Sequence, residues 1–142
     1  MDSIEGLTSS IKLPEFKVDV APLRNQVRFE FGHLQSLNSS EDPVQRVQGM
    51  VIGLGKSQEQ MRNRIAQGEE ISPLEKMGLR LNETITRFAA KGSGWDEAEF
   101  DLSLSRGETY ARHEKELIDA TGETAFEVWA KHNIVSKVAS TD

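Results

Sequence analysis

Residues 53–57, Gly-Leu-Gly-Lys-Ser, are the stretch whose residue types come nearest to a chemical motif. Glycines followed by a lysine and a serine occur in phosphate-binding loops, where they hold phosphates and a magnesium ion. The spacing fails, because the first glycine of that motif would fall at Met50, whereas Gly49 lies one residue too early. The βαβ pattern that such a loop needs is also missing, so we expect no nucleotide site and no cofactor.

The histidines and clustered acidic residues do not form a catalytic or metal-binding pattern. His33, His113 and His132 are not paired at a spacing that holds zinc. Three carboxylates lie between residues 97 and 101, and paired carboxylates can transfer protons. A solvated helix surface explains them more simply. We therefore expect no catalytic residue, no metal ligand and no enzyme activity.

Composition narrows the class of partner. The chain has 142 residues, a net charge of −6 and no cysteine, and 37% of its residues are hydrophobic. Nucleic-acid binding needs dense Lys and Arg, so the acidic balance argues against it. No apolar stretch approaches the ~20 residues of a membrane span, and no signal peptide is visible. We expect cytoplasmic synthesis and a protein partner or self-assembly.

The elements that would position any site are helical. Apolar residues recur every three or four positions from residue 44 to residue 65, which predicts one buried seam of a helix from Pro43 to about Gln67. Gly68 is a plausible end. Gly49, Gly53 and Ser57 share the opposite face, where they either admit a close neighbour or mark a broken helix around residues 53–55. The seam consists of Val44, Val47, Val51, Leu54, Gln58, Met61 and Ile65.

A second helix should begin at Ser72, because Ser72-Pro-Leu-Glu75 has the arrangement of a capping box. The helix should end at residues 91–94, which contain two glycines. The link to the preceding helix is short, which predicts an antiparallel hairpin whose two apolar stripes face each other. The stripe of the second helix consists of Leu74, Met77, Leu81, Ile85 and Phe88.

The remaining segments give weaker patterns. A helix over about residues 20–37 is favoured over a strand because its apolar periodicity is longer. Residues 100–104 alternate as in a half-buried strand, although a helix also fits. Residues 108–121 should be helical and end at Gly122. Residues 123–138 carry large apolar side chains at roughly helical spacing.

Residues 1–20 are predicted to form an extended arm. Pro14 interrupts the segment, and alternation after it is typical of a strand. Its apolar side chains would bind a partner, because so short a segment cannot form its own core. Tryptophan dominates binding hot spots, so the two tryptophans are further candidates, with core burial as the alternative. The expected partner-binding residues are Ile11, Leu13, Phe16, Val18, Val20, Trp95 and Trp129.

The sequence therefore predicts a mainly α protein, a helical hairpin or bundle over residues 21–142 with an extended N-terminal arm over residues 1–20 and one or two short strands. In architecture, such a hairpin resembles small secretion-rod and virion proteins. The expected function is that of a non-catalytic structural or adaptor subunit of a bacterial or viral assembly, incorporated into a larger particle. The alternative is a small regulator, such as a chaperone, inhibitor or immunity protein, that masks a partner.

Overall fold

The structure, a computed structural model, describes residues 19–140, with the backbone alone for residues 135–140. This part of the chain is mainly α, as predicted, with five helices and no strand. The arm residues Ile11, Leu13, Phe16 and Val18 lie outside the described residues. The helices are α1 (Ala21–Asn38), α2 (Pro43–Ala66), α3 (Pro73–Gly92), α4 (Glu97–Thr121) and α5 (Ala125–Ser140).

Helix boundaries follow local chemistry closely. The Asp42 side chain accepts a hydrogen bond from the Val44 amide at 3.0 Å and caps α2. α2 is unbroken through residues 53–55, so the broken-helix alternative is wrong. Gly68, Gly94 and Gly122 have φ values of +85°, +83° and +77°, a left-handed conformation that ends helices and suits glycine.

The strand predicted at residues 100–104 is wrong, because these residues lie inside α4. Alternation and helical spacing both fit this stretch, and the start of the helix decides between them. Asp96 accepts a hydrogen bond from the Glu99 amide at 2.8 Å, and the Glu99 carboxylate accepts one from the Asp96 amide at 3.4 Å. The acidic residues near 97 thus include a capping box.

The most extensive helix contact joins α2 to α4. A Cβ at Gly55 would collide with the backbone carbonyl of Leu104, and one at Gly107 would collide with that of Ile52. The two backbones therefore touch, which only glycine permits. The prediction that the small-residue face admits a close neighbour is wrong at Gly53. A Cβ added there would meet no described atom of another helix within 4 Å.

Two groups of buried side chains form the core. The first joins α1, α4 and α5 through Val27, Tyr110, Leu117, Ala125 and Val128. The second joins the seam of α2 to one face of α3 and the start of α4. It consists of Val47, Val51, Leu54, Ala90 and Phe100.

The hairpin of α2 and α3 is antiparallel, as predicted. Gln58 donates a hydrogen bond to Glu83 at 3.3 Å, and Arg64 donates one to Glu75 at 2.7 Å, so contacts advance along one helix as they recede along the other. Ser72 caps α3 by accepting from the Glu75 amide at 3.1 Å. The carboxylate of Glu75 binds Arg64 rather than the Ser72 amide, so the predicted capping box is only half formed.

Candidate functional site

The outer face of α3 carries five of the six large apolar side chains of the helix. All five are more than half exposed, with exposed fractions between 52% and 81%. Soluble proteins rarely leave such a contiguous group in water unless it binds something. We call this group the α3 stripe; it consists of Leu74, Met77, Leu81, Ile85 and Phe88.

The prediction that the stripes of α2 and α3 face each other is therefore wrong. Leu54 is fully buried, as expected, but Leu81 is exposed. α3 turns its opposite face to α2, where Thr86 and Ala90 are buried. Leu79 lies on the same face and is half-buried against the core group around Leu54.

The two edges of the α3 stripe differ in charge. At about 100° per residue, helical geometry places Arg80 and Lys91 along one edge, whereas Lys76 lies farther round the helix, in a cleft that Glu69 and Glu70 also line. Both edge residues are exposed, and neither forms an ion pair with a described residue. The other edge carries the uncharged residues Gly78, Asn82 and Ala89.

The acidic residues of α3 are already engaged within the protein. Glu75 lies 2.7 Å from Arg64 of α2. Glu83 lies 3.1 Å from Arg87, which also stacks over the Phe100 ring, 4.4 Å from its centre. The edge formed by Arg80 and Lys91 is thus a positive strip on a chain whose net charge is −6.

A second polar group lies between α1, α2 and α4. His113 Nδ1 lies 2.7 Å from Glu30 Oε1, and Lys56 Nζ lies 3.9 Å from Glu114 Oε1. Lys56 also sits over the Tyr110 ring, 4.7 Å from its centre. The motif-like lysine is therefore a half-buried packing residue rather than a lone surface charge. His113 joins two helices rather than capping one.

Tyr110 is the most deeply buried member of this polar group. Burial raises the pKa of its hydroxyl, and the negative charges of Glu114 and Glu30 raise it further. The hydroxyl is buried and has no hydrogen-bond partner among the described residues. Tyr110 thus stays a neutral phenol at physiological pH. The surrounding charges pair with one another, an arrangement that joins helices and leaves no activated nucleophile.

The tryptophans occupy two different positions. Trp95 is half-buried and packs against the core group around Leu54. Trp129 is half-buried in an aromatic cluster, its ring centre 5.3 Å from that of Phe31 and 6.3 Å from that of Phe126. Val20 is half-buried and directly precedes α1. Partner binding by these residues and by the arm stays a prediction. Neither tryptophan lies on α3.

The apolar periodicity of the sequence identifies the five stripe residues but predicts that they lie in the core. The signal that could have placed them outside is the small-residue face on the same helix, at Thr86 and Ala90. No group of three His, Asp or Glu side chains in the described part of the chain is arranged to hold a metal ion. None of the helices in that part is long and apolar enough to cross a membrane.

Comparison with known proteins gives no assignment. No protein-family model, curated protein or solved structure matches the chain.

Proposed function

We propose that this protein is a non-catalytic structural or adaptor subunit of a bacterial or viral assembly, and that its α3 stripe is an interface buried by another protein. The observation that carries the proposal is the exposure of five large apolar side chains along one face of α3. Apolar patches of this kind mark interaction sites on folded proteins.

The energetics support contact with a protein of some size. Full burial of a large apolar side chain contributes about 1.5–3 kcal/mol. The five side chains are on average about two-thirds exposed, so covering them contributes on the order of 5–10 kcal/mol. Association itself costs about 4–15 kcal/mol. The stripe alone therefore supports a weak complex, and contacts along its edges would decide whether the complex is stable.

A small regulator that masks one partner is the second candidate. A single apolar stripe beside a positive strip suits a one-to-one complex as well as a larger assembly. The two candidates differ in stoichiometry, which size-exclusion chromatography with light scattering measures. A ring or high-order species favours the assembly, whereas a one-to-one complex with a monomeric chain favours the regulator.

A photo-crosslinking amino acid at position 81 tests whether the stripe is an interface. We expect a discrete crosslinked species when the full chain is illuminated in the cells that produce it naturally. The matched control places the same amino acid at Asp101, which is exposed on α4. Crosslinks of equal yield from both positions, or none from position 81, would contradict the proposal.

A further inference from the structure

We infer that the α3 stripe receives an amphipathic helix of another protein, and that this helix carries acidic side chains along the edge that meets Arg80 and Lys91. The inference rests on the proposed function and adds the chemistry of the partner. Three features support it: the length of the stripe, the charge of its two edges and the pairing of the nearby carboxylates.

The shape of the stripe matches a helix. It runs from Leu74 to Phe88, about 21 Å at 1.5 Å per residue, or roughly four turns. Its side chains follow steps of three, four, four and three residues, which form a ridge along one side of α3. A partner helix that presents residues at positions i, i+3, i+4 and i+7 can pack along such a ridge.

The charges select the acidic partner. Glu75 and Glu83 are bound to arginines within the protein, so they do not neutralise the positive edge of the stripe. Arg80 and Lys91 are exposed, and their long aliphatic stems can pack on apolar groups while the charged ends reach carboxylates. Complementary charge at the rim of an interface raises the association rate and selects the partner.

A second copy of this chain fits the apolar spacing but not the charge. The spacing is palindromic around Leu81, so a two-fold axis there would pair two α3 helices antiparallel, with Leu74 facing Phe88 of the second copy. The same axis brings like edges together and sets Arg80 beside Arg80 of the second copy. Like charges that face each other disfavour this pairing, so the observations favour a different protein.

An anionic membrane surface is a poorer fit than an acidic helix. Membrane-binding helices carry Lys and Arg along the whole polar face. Here the positive residues line one edge, the other edge is uncharged around Asn82, and Glu75 lies beyond it.

The test uses two labelled synthetic helical peptides with the same leucine spacing, one with glutamates and the other with lysines along the flank. Fluorescence anisotropy with the full chain should show that the glutamate peptide binds at least about tenfold more tightly. The double variant Arg80→Glu/Lys91→Glu should reverse this preference. The matched control, Arg46→Glu/Arg106→Glu, changes two exposed charges elsewhere by the same amount and should not reverse it.

Leu81→Ser separates failure of this inference from failure of the proposed function. Equal binding of both peptides, abolished by Leu81→Ser, would overturn the acidic partner while the interface stands. Binding of neither peptide would overturn the helical occupant, and the crosslinking at position 81 then decides the interface independently. Dimerisation of the full chain that Leu81→Ser abolishes would assign the stripe to a second copy. Stronger binding to phosphatidylglycerol vesicles than to either peptide would assign it to a membrane.

Discussion

Gly107 of α4 lies against the backbone carbonyl of Ile52 in α2, so the two helices touch through their main chains. Gly107→Ala should lower the free energy of unfolding by about 1–3 kcal/mol, because the added methyl group has no space and the helices must move apart. Chemical denaturation followed by circular dichroism measures the change.

Gly53→Ala is the matched control for this contact. Gly53 lies in the same helix, and a Cβ there meets open space. Alanine should raise the free energy of unfolding by about 0.5–1 kcal/mol, since it removes the conformational cost of a helical glycine. A loss of stability at position 53 equal to that at position 107 would show that crowding is not the cause.

Leu54 and Leu81 should differ sharply in their effect on stability, although the sequence gives them equivalent roles. Leu54→Ala should lower the free energy of unfolding by about 2–5 kcal/mol, because the side chain is fully buried. Leu81→Ala should change it by less than about 0.5 kcal/mol, because the side chain is exposed. Similar losses in thermal and chemical denaturation would place Leu81 in the core after all.

Glu123 should contribute to the acid sensitivity of the fold. Hydrogen bonds from Arg24 at 2.6 and 2.8 Å lower the pKa of this carboxyl, and Lys131 lowers it further. Below its unfolded pKa of about 4.3, the unfolded chain binds more protons than the folded one. The contribution is therefore present above that pH and is lost as the pH falls through the folded pKa.

Glu123→Gln removes this titration. We expect the stability of the variant to fall less steeply than that of the wild type between about pH 5 and pH 3, as measured by urea denaturation. Asp101→Asn, at an exposed carboxyl, is the control and should follow the wild-type curve. An unchanged slope for Glu123→Gln would mean that the Arg24 contact does not persist in solution.

Tyr110→Phe should not destabilise the protein at neutral pH. The buried hydroxyl has no partner among the described residues, so its removal should leave the free energy of unfolding unchanged or raise it by up to about 1 kcal/mol. The raised pKa of the folded tyrosine predicts a second effect. Above about pH 10 the unfolded tyrosine loses its proton while the folded one keeps it, so wild-type stability falls with pH.

The phenylalanine variant lacks that alkaline component of the fall. The difference in stability between variant and wild type should therefore widen between about pH 8 and pH 11. Measurement of both proteins in parallel cancels the titration of lysines common to them. A destabilised variant at neutral pH would indicate that the hydroxyl makes a hydrogen bond in solution.

Deletion of residues 1–18 tests the N-terminal arm as a second interaction element. The truncated chain keeps Asp19, whose side chain accepts a hydrogen bond from the Ala21 amide at 3.0 Å at the start of α1. We expect the truncated chain to keep its circular dichroism spectrum and melting point and to lose affinity for its partner. A collapse of the melting point with association unaffected would assign the arm to the core of the helical domain.

Local signals predicted the helices well because each signal acts within a few residues. Pro43 begins α2, Ser72 caps the start of α3 and Gly122 follows the end of α4, as predicted. The strand at residues 100–104 was wrong because a stretch of alternating residues can also fit a helix. Asp96, which caps the start of this helix, lies before the alternating stretch.

The identity of the contacting faces could not be read from local patterns. Gly55 meets Leu104 across 49 positions of the chain, and nothing near either residue indicates the other. The stripe around Leu81 was recognised as apolar and was therefore placed inside. The inward face of α3 carries Leu79, Thr86 and Ala90 instead, and the last two are buried.

The fold and the stripe depend on different residues. The core uses Leu54, Thr86 and Ala90, whereas the exposed face uses Leu81 and its neighbours, so a substitution in one set leaves the other nearly untouched. When a partner changes, substitutions in the stripe therefore need no compensating substitution in the core. Helix α3 would evolve as a replaceable contact surface, and its inward side would drift far more slowly than its outward side.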